Sequence, residues 1–153
     1  MKKKDIHITV IGAGHGGKAM AAEMASRGFR VTLYNRTETH IEIIGLRGGV
    51  QLTTEDGKTN FAKLHHVTSD IEEAVRDAHL IMVVIPASGH RDVALQAAPY
   101  LQDDQVIVLN PGRTGGALEF RQILDRQGCT ADAIVAEAGT FIFASRSTGP
   151  AQA

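Results

Sequence analysis

The residues best placed to do chemistry sit near the N-terminus. Val10-Ile11-Gly12-Ala13-Gly14-His15-Gly16-Gly17 sets glycines at 12, 14 and 17, the spacing G-x-G-x-x-G. Alone the spacing is weak evidence, but here it follows an apolar, β-branched run at Ile6–Ile11 and opens a helical one. In that setting each glycine has its own task. Gly12 permits a tight turn out of the strand, Gly14 lets backbone approach a pyrophosphate, and Gly17 lets helix and sheet pack closely. The first helical amides, at the positive end of the helix dipole, would then face the anion. A ligand-free glycine turn is the competing reading, and the strand-turn-helix context favours a dinucleotide.

The tip of the second strand commonly decides which dinucleotide. An Asp or Glu there accepts hydrogen bonds from the adenosine ribose diol and selects NAD. This chain has Asn35-Arg36-Thr37 instead. Arg36 can bind a 2′-phosphate with charge-assisted bonds, whereas a carboxylate would repel it. Asn35 and Thr37 add neutral donors, and Glu38 falls past the strand tip. NADP is therefore the expected cofactor, with NAD the alternative. A solvent-facing Arg36 beside a turn-forming Asn35 is the plainer option.

Later strand ends supply further candidates, because ligands of open α/β sheets lie outside the carboxyl ends of the strands. Ile85, Pro86 and Ala87 end the fourth strand, Asn110-Pro111-Gly112 the fifth, and Glu137 the sixth. The candidate cofactor contacts are thus Gly12, Ala13, Gly14, His15, Gly16, Gly17, Asn35, Arg36, Thr37, Ile85, Pro86, Ala87, Asn110, Pro111, Gly112 and Glu137. Pro and Gly at such places also simply make turns. His15 is either a cofactor contact or a solvent-facing loop residue, and His90 either a cap or surface residue or a proton-transfer group. His65, His66 and His79 lack ligand spacing, so no metal site is expected, and no catalytic residue can be named. The single cysteine, Cys129, excludes an internal disulfide and reads as an inert small residue.

These residues need a frame, and the pattern around them supplies one. After Ile6–Ile11 comes a helix from about His15 to Arg27, stopped by Gly28, and then a strand at Arg30–Tyr34. Val50–Thr53 and Asn60–Leu64 flank the turn-rich Thr54–Lys58, as a β-hairpin would. His66–Thr68 is a short strand. Ser69 and Glu72 have capping-box spacing before a helix carrying Ile71, Ala74, Val75 and Ala78. Leu80–Ile85 is an unbroken apolar run, expected of a parallel strand buried on both faces. A helix from about Gly89 to Ala98, a strand at Val106–Leu109, a helix over Gly116–Gln127 capped by Thr114, and a strand at Ala133–Ala136 follow. Thr140–Ala144 is a candidate seventh strand. The alternation predicts an α/β, Rossmann-type doubly wound, mostly parallel sheet with helices on both faces.

Composition is that of one ordinary globular domain: 153 residues, 43% hydrophobic and 22% charged, with net charge −1. That balance argues against nucleic-acid partners and anionic membranes. No apolar run nears the roughly 20 residues of a membrane span. A cytoplasmic protein is expected.

With these segments in place, the chain resembles the N-terminal NAD(P)-binding domain of the octopine/nopaline (opine) dehydrogenase family, within the 6-phosphogluconate dehydrogenase-like superfamily. The resemblance rests on Val10–Gly17, Thr68–Ala74, Ile81–Ala87 and above all Val108-Leu109-Asn110-Pro111-Gly112-Arg113-Thr114-Gly115-Gly116-Ala117-Leu118-Glu119-Phe120. It implies an oxidoreductase acting on CH–NH, in which hydride from NAD(P)H reduces the imine of a 2-oxo acid and an amino acid. It also implies that Pro86 and Asn110–Gly112 lie near the nicotinamide. The family's catalytic His–Asp pair belongs to a second, helical domain that is not among these residues, so this chain alone is expected to be inactive. An apolar docking face near Thr140–Ala144 would be left exposed and would allow a homodimer. A ketopantoate-reductase-like or other NADP-dependent reductase, and a non-catalytic dinucleotide-sensing domain, are the alternatives.

Overall fold

The computed structural model describes residues 2–112 and 115–153. In chain order the strands are β1 (His7–Ile11), β2 (Arg30–Tyr34), β3 (Gly49–Thr53), β4 (Thr59–Lys63), β5 (His66–Thr68), β6 (Leu80–Val83), β7 (Val106–Leu109) and β8 (Ile134–Glu137). The helices are α1 (His15–Ser26), α2 (Glu42–Arg47), α3 (Ile71–Val75), α4 (His90–Ala97) and α5 (Gly116–Arg126). Six strands form one parallel sheet in the order β5-β2-β1-β6-β7-β8. The first three parallel strands run outward one way from β1 and the last three the other way. A crevice therefore opens beyond the carboxyl ends of β1 and β6, where such sheets bind ligands.

Both faces of this sheet are covered, which is why its strands read as continuous apolar runs. Alternate residues serve opposite cores. Ile8, Val10 and Met82 pack with Met20 and Ala21 of α1 and Ile44 of α2 on one face. Ile11, Ile81 and Val83 pack with Ala94 of α4 and Phe120 and Leu124 of α5 on the other. Helix α1 ends as its sequence suggests. Gly28 (φ 91°) donates to the Ala25 carbonyl and Phe29 to that of Met24, the two bonds of a Schellman stop.

Several expectations need correction. Asp70, not Ser69, caps α3, its Oδ1 accepting from the Glu72 and Glu73 amides at 2.8 and 3.3 Å. The Glu72 side chain pairs instead with Arg76. Strand β6 ends at Val83 rather than Ile85, because the chain then turns into the crevice. The expected hairpin is present as β3–β4, a separate two-stranded antiparallel sheet beside α1. Helix α2 has no counterpart in the sequence reading. It is six residues long, contains Gly45, and ends at Gly48 with φ 70°.

Thr140–Ala144 is not a strand. The segment runs past the glycine turn, and the chain then pairs with β3 through Gln51 and Gln152. Ala151 is buried in the α1-side core, so this return is well anchored. Phe141 and Ile142 are about half exposed. The expected cap Thr114, with Arg113, lies outside the described residues; Gly115 (φ 79°) is the N-cap of α5. No helix among the described residues is long and apolar enough to cross a membrane.

Candidate dinucleotide site

The three glycines of the turn meet different surroundings. A Cβ on Gly12, whose φ is 110°, would lie 2.5 Å from the Val84 carbonyl oxygen. One on Gly17 would lie 1.7 Å from the Gly12 carbonyl oxygen. Both positions are closed by the protein's own backbone. A Cβ on Gly14 would meet nothing within 4 Å. Glycine at 14 therefore keeps open a space that the fold itself does not use. Gly14 is also the N-cap of α1 and offers no side-chain cap. The first intrahelical bond runs from the Lys18 amide to the Gly14 carbonyl, so the amides of His15, Gly16 and Gly17 precede the ladder. An open face beside uncommitted helix amides is what an oxyanion such as a pyrophosphate needs, so these residues fit a dinucleotide.

Asn35 locks the turn to the tip of β2. Its Oδ1 accepts from the Ala13 amide at 3.2 Å and its Nδ2 donates to the Thr37 carbonyl at 3.0 Å. Ala13 is thereby a structural contact of the turn. Arg36 and Thr37 stand exposed beyond the strand, and Glu38 starts a single 3-10 turn leading away. Two cavities follow the crevice. One, of about 350 Å³, lies between the β2 tip (Asn35, Arg36, Thr37) and the 3-10 turn and first turn of α4 opposite it (Ser88, Asp92). The other, of about 380 Å³, lies over Gly14, His15 and Gly16 and is walled by Phe141, Phe143 and Ser145. Ile85 and Pro86 line both and join them.

The tail closing the second cavity is held by α1. Lys18 is buried, and its Nζ donates to the Gly149 and Pro150 carbonyls at 3.0 and 3.3 Å. Burial lowers its pKa. The Ser147 amide donates to His15 Nδ1 at 2.9 Å, so His15 serves the tail as well as the turn. Neither Phe141, Phe143 nor Ser145 was singled out from sequence. The apolar run Phe141-Ile142-Phe143-Ala144 imitates a strand, and the contacts that hold the tail come from residues far away in the chain.

The remaining candidates lie elsewhere: Ala87 opens the 3-10 turn between β6 and α4, and Asn110, Pro111, Gly112 and Glu137 gather at the ends of β7 and β8. None of these five lines either cavity. Asn110 is fully buried, with Nδ2 donating to the Val108 carbonyl at 2.9 Å. A Cβ on Gly112 would lie 2.1 Å from that of Glu137. Glu137 Oε2 accepts from the Ala117 amide at 2.7 Å and so caps α5. His90 is buried beside this cluster, not on the surface, and its pKa is lowered by burial, against the raising influence of the Ile85 backbone and of Glu119 and Glu137.

Comparison with known proteins agrees with this architecture. Residues 7–116 match the family described as NAD-dependent glycerol-3-phosphate dehydrogenase N-terminus. The chain is 39% identical over 143 residues to an opine dehydrogenase of Arthrobacter sp. (strain 1C), a match covering 94% of this chain and 39% of that protein. It superposes on octopine dehydrogenase solved with NADH and agmatine with a TM-score of 0.81 at 24% identity, covering 96% of this chain and 38% of the other. Yersinopine dehydrogenase with NADP+ bound gives a TM-score of 0.78 at 20% identity, over 96% and 38%. The chain thus spans about two fifths of the length of these relatives. The chain belongs to the NAD-dependent glycerol-3-phosphate dehydrogenase N-terminus family, as an NAD(P)-binding domain of the Rossmann type similar to that of opine dehydrogenases.

Proposed function

We propose that this chain is the NADP(H)-preferring cofactor domain of an opine-dehydrogenase-like oxidoreductase, one that reduces the imine of a 2-oxo acid and an amino acid. The observation that carries the cofactor preference is the tip of β2, which lines the first cavity with Asn35, Arg36 and Thr37 and contributes no carboxylate. The likeness to an opine dehydrogenase over 94% of the chain supports the substrate class. The solved relatives, one with NADH and agmatine and the other with NADP+ bound, support the dinucleotide reading of the crevice.

The residues divide the work by position. The amides of His15, Gly16 and Gly17 take the pyrophosphate, and Arg36 takes the 2′-phosphate. Asn35 keeps the turn and the strand tip in register, so the two anion sites hold a set separation. Ile85 and Pro86 support the cofactor between the cavities, while Phe141 and Phe143 keep water from the second. NADP(H), when bound, supplies the hydride. Holding the acceptor carbon near the nicotinamide requires a wall opposite this crevice, and the described residues form only one side. Orientation of that kind can account for about 7–11 kcal/mol of a barrier. The 153-residue chain therefore binds cofactor without turning over.

The test is a titration of the chain with NADPH and NADH, repeated on Arg36→Ala. Charge-assisted hydrogen bonds are each worth about 1.5–3 kcal/mol. Wild type should prefer NADPH by roughly ten- to hundredfold, and Arg36→Ala should lose NADPH affinity while keeping that for NADH. Equal affinities in wild type would refute the preference. NADPH oxidation with pyruvate and arginine at an ordinary enzymatic rate would refute the division of labour.

A further inference from the structure

The β2 tip faces a charge that it does not itself carry. Asp92, in the first turn of α4, lines the same cavity as Arg36, and its Oδ2 lies 3.4 Å from Arg36 Nη1. The two residues are 56 apart in the chain and meet only because β2 and α4 flank one crevice. An acidic residue in a first helical turn is ordinary, since it suits the helix dipole. That accounts for a carboxylate at position 92. It does not account for its reaching across the adenosine cavity to the one cation at the strand tip. Asp92 thus delivers, from a different element, the negative charge that β2 lacks.

We propose that Asp92 is a cofactor-selecting residue that opposes Arg36, restraining the preference for a 2′-phosphate and supporting an unphosphorylated ribose. This deepens, and rests on, the reading of the first cavity as the adenosine site. A phosphate hydrogen-bonded to Arg36 lies within about 3 Å of the guanidinium. The Asp92 oxygen, 3.4 Å from the same guanidinium, is then only one group further away. A 2′-phosphate carries a charge of about −1.5 to −2 near pH 7, so it must compete with Asp92 for Arg36 and is repelled by it as well. A ribose diol brings no charge and meets a hydrogen-bond acceptor. Both side chains are more than half exposed, so the pair adds little to folding stability, and its consequence falls on the ligand.

The experiment compares two probes that differ by one group, adenosine 2′,5′-bisphosphate and 5′-AMP. Both are titrated calorimetrically into the wild-type chain, Asp92→Asn and Arg36→Ala at low ionic strength. Asp92→Asn should bind the bisphosphate about five- to tenfold more tightly and 5′-AMP no better than wild type does. That gain should shrink at high salt, because the charges act across a partly exposed site. Unchanged bisphosphate affinity in Asp92→Asn, or an equal change for both probes, overturns the proposal. Retained 5′-AMP binding shows that the variant is folded. The NADP(H) reading is tested separately by the Arg36→Ala arm. If wild type does not prefer the bisphosphate and Arg36→Ala loses nothing, that reading fails whatever Asp92→Asn does.

Discussion

Two places in this molecule are built from the same parts and are finished differently, and the proposed function gives them opposite uses. At the end of β1, a strand runs through a glycine-rich turn into the N-terminus of α1. At the end of β7, another strand runs through Gly112, Gly115 and Gly116 into the N-terminus of α5. In the second, Glu137 supplies an anion from within the protein, accepting from the Ala117 amide, and its side chain fills the space beside Gly112. In the first, among the described residues, no side chain caps α1, its first turn holds no acidic residue, and the space beside Gly14 is open. A glycine turn before a helix is therefore not in itself a ligand site. In the proposed function it becomes one where the protein withholds its own anion.

That contrast can be broken at several points. The largest expected effect is on ligand affinity at Gly14. Gly14→Val should abolish NADPH and NADH binding, a loss of at least about a hundredfold, because the side chain enters the space assigned to the pyrophosphate. Its melting temperature should stay close to wild type, since a Cβ there meets no protein atom. Gly17→Val should behave oppositely. Its Cβ would fall on the Gly12 carbonyl, so the fold itself should lose about 3 kcal/mol or more in chemical denaturation. Equal destabilisation by the two variants would show that the glycines do not have distinct roles.

The other end of the sheet should respond to acid without involving the crevice. His7 is buried in β1, with Nε2 2.8 Å from Thr32 Oγ1 and Arg30 Nη2 3.0 Å from Nδ1. Burial first, and then the Arg30 charge, lower its pKa from 6.5 to about 4. Unfolded, the group takes a proton near pH 6.5; folded, it stays neutral down to about 4. Between these values the unfolded chain binds more protons. The His7 contribution is therefore complete above pH 6.5, declines as pH falls through that window, and is gone below about 4. At about 1.4 kcal/mol per pH unit, the decline amounts to about 3 kcal/mol. Denaturation midpoints measured from pH 7.5 to 4 check this, and a flat profile would contradict it.

The smallest expected effect is at the internally satisfied turn. Glu137→Gln keeps an acceptor oxygen but removes the charge at the start of α5. It should cost about 1 kcal/mol of stability and shift NADPH affinity by less than about threefold. A large loss of affinity with unchanged stability would move Glu137 from the fold to the ligand and end the contrast.

How much of this could be read from residues alone follows from the range of the forces involved. The glycine turn and the flanking β1 and α1 obey local rules, and so were legible. Asn35 and Arg36 were legible by position, because the end of β2 has a definite place relative to β1. Helix α2 was not, since only Ile41 and Ile44 around it are buried while Ile43 and Leu46 face out, and Gly45 interrupts the pattern. The tail was misread because the Lys18 ammonium and the Gln51 backbone hold it by its own carbonyl and amide groups, which leave no signature in the tail's side chains. Asp92 was invisible for a related reason: its partner is reached only through the folded sheet.

The contrast between the two turns is most directly tested by backbone amide NMR of the 153-residue chain during titration with NADPH. The account predicts that the amide resonances of His15, Gly16 and Gly17 shift strongly and together as the cofactor saturates. The amides of Gly112 and Ala117, committed to the Ala138 carbonyl and the Glu137 carboxylate, should stay near their free positions. Strong shifts at Gly112 and Ala117 with none at Gly16 and Gly17 would contradict it.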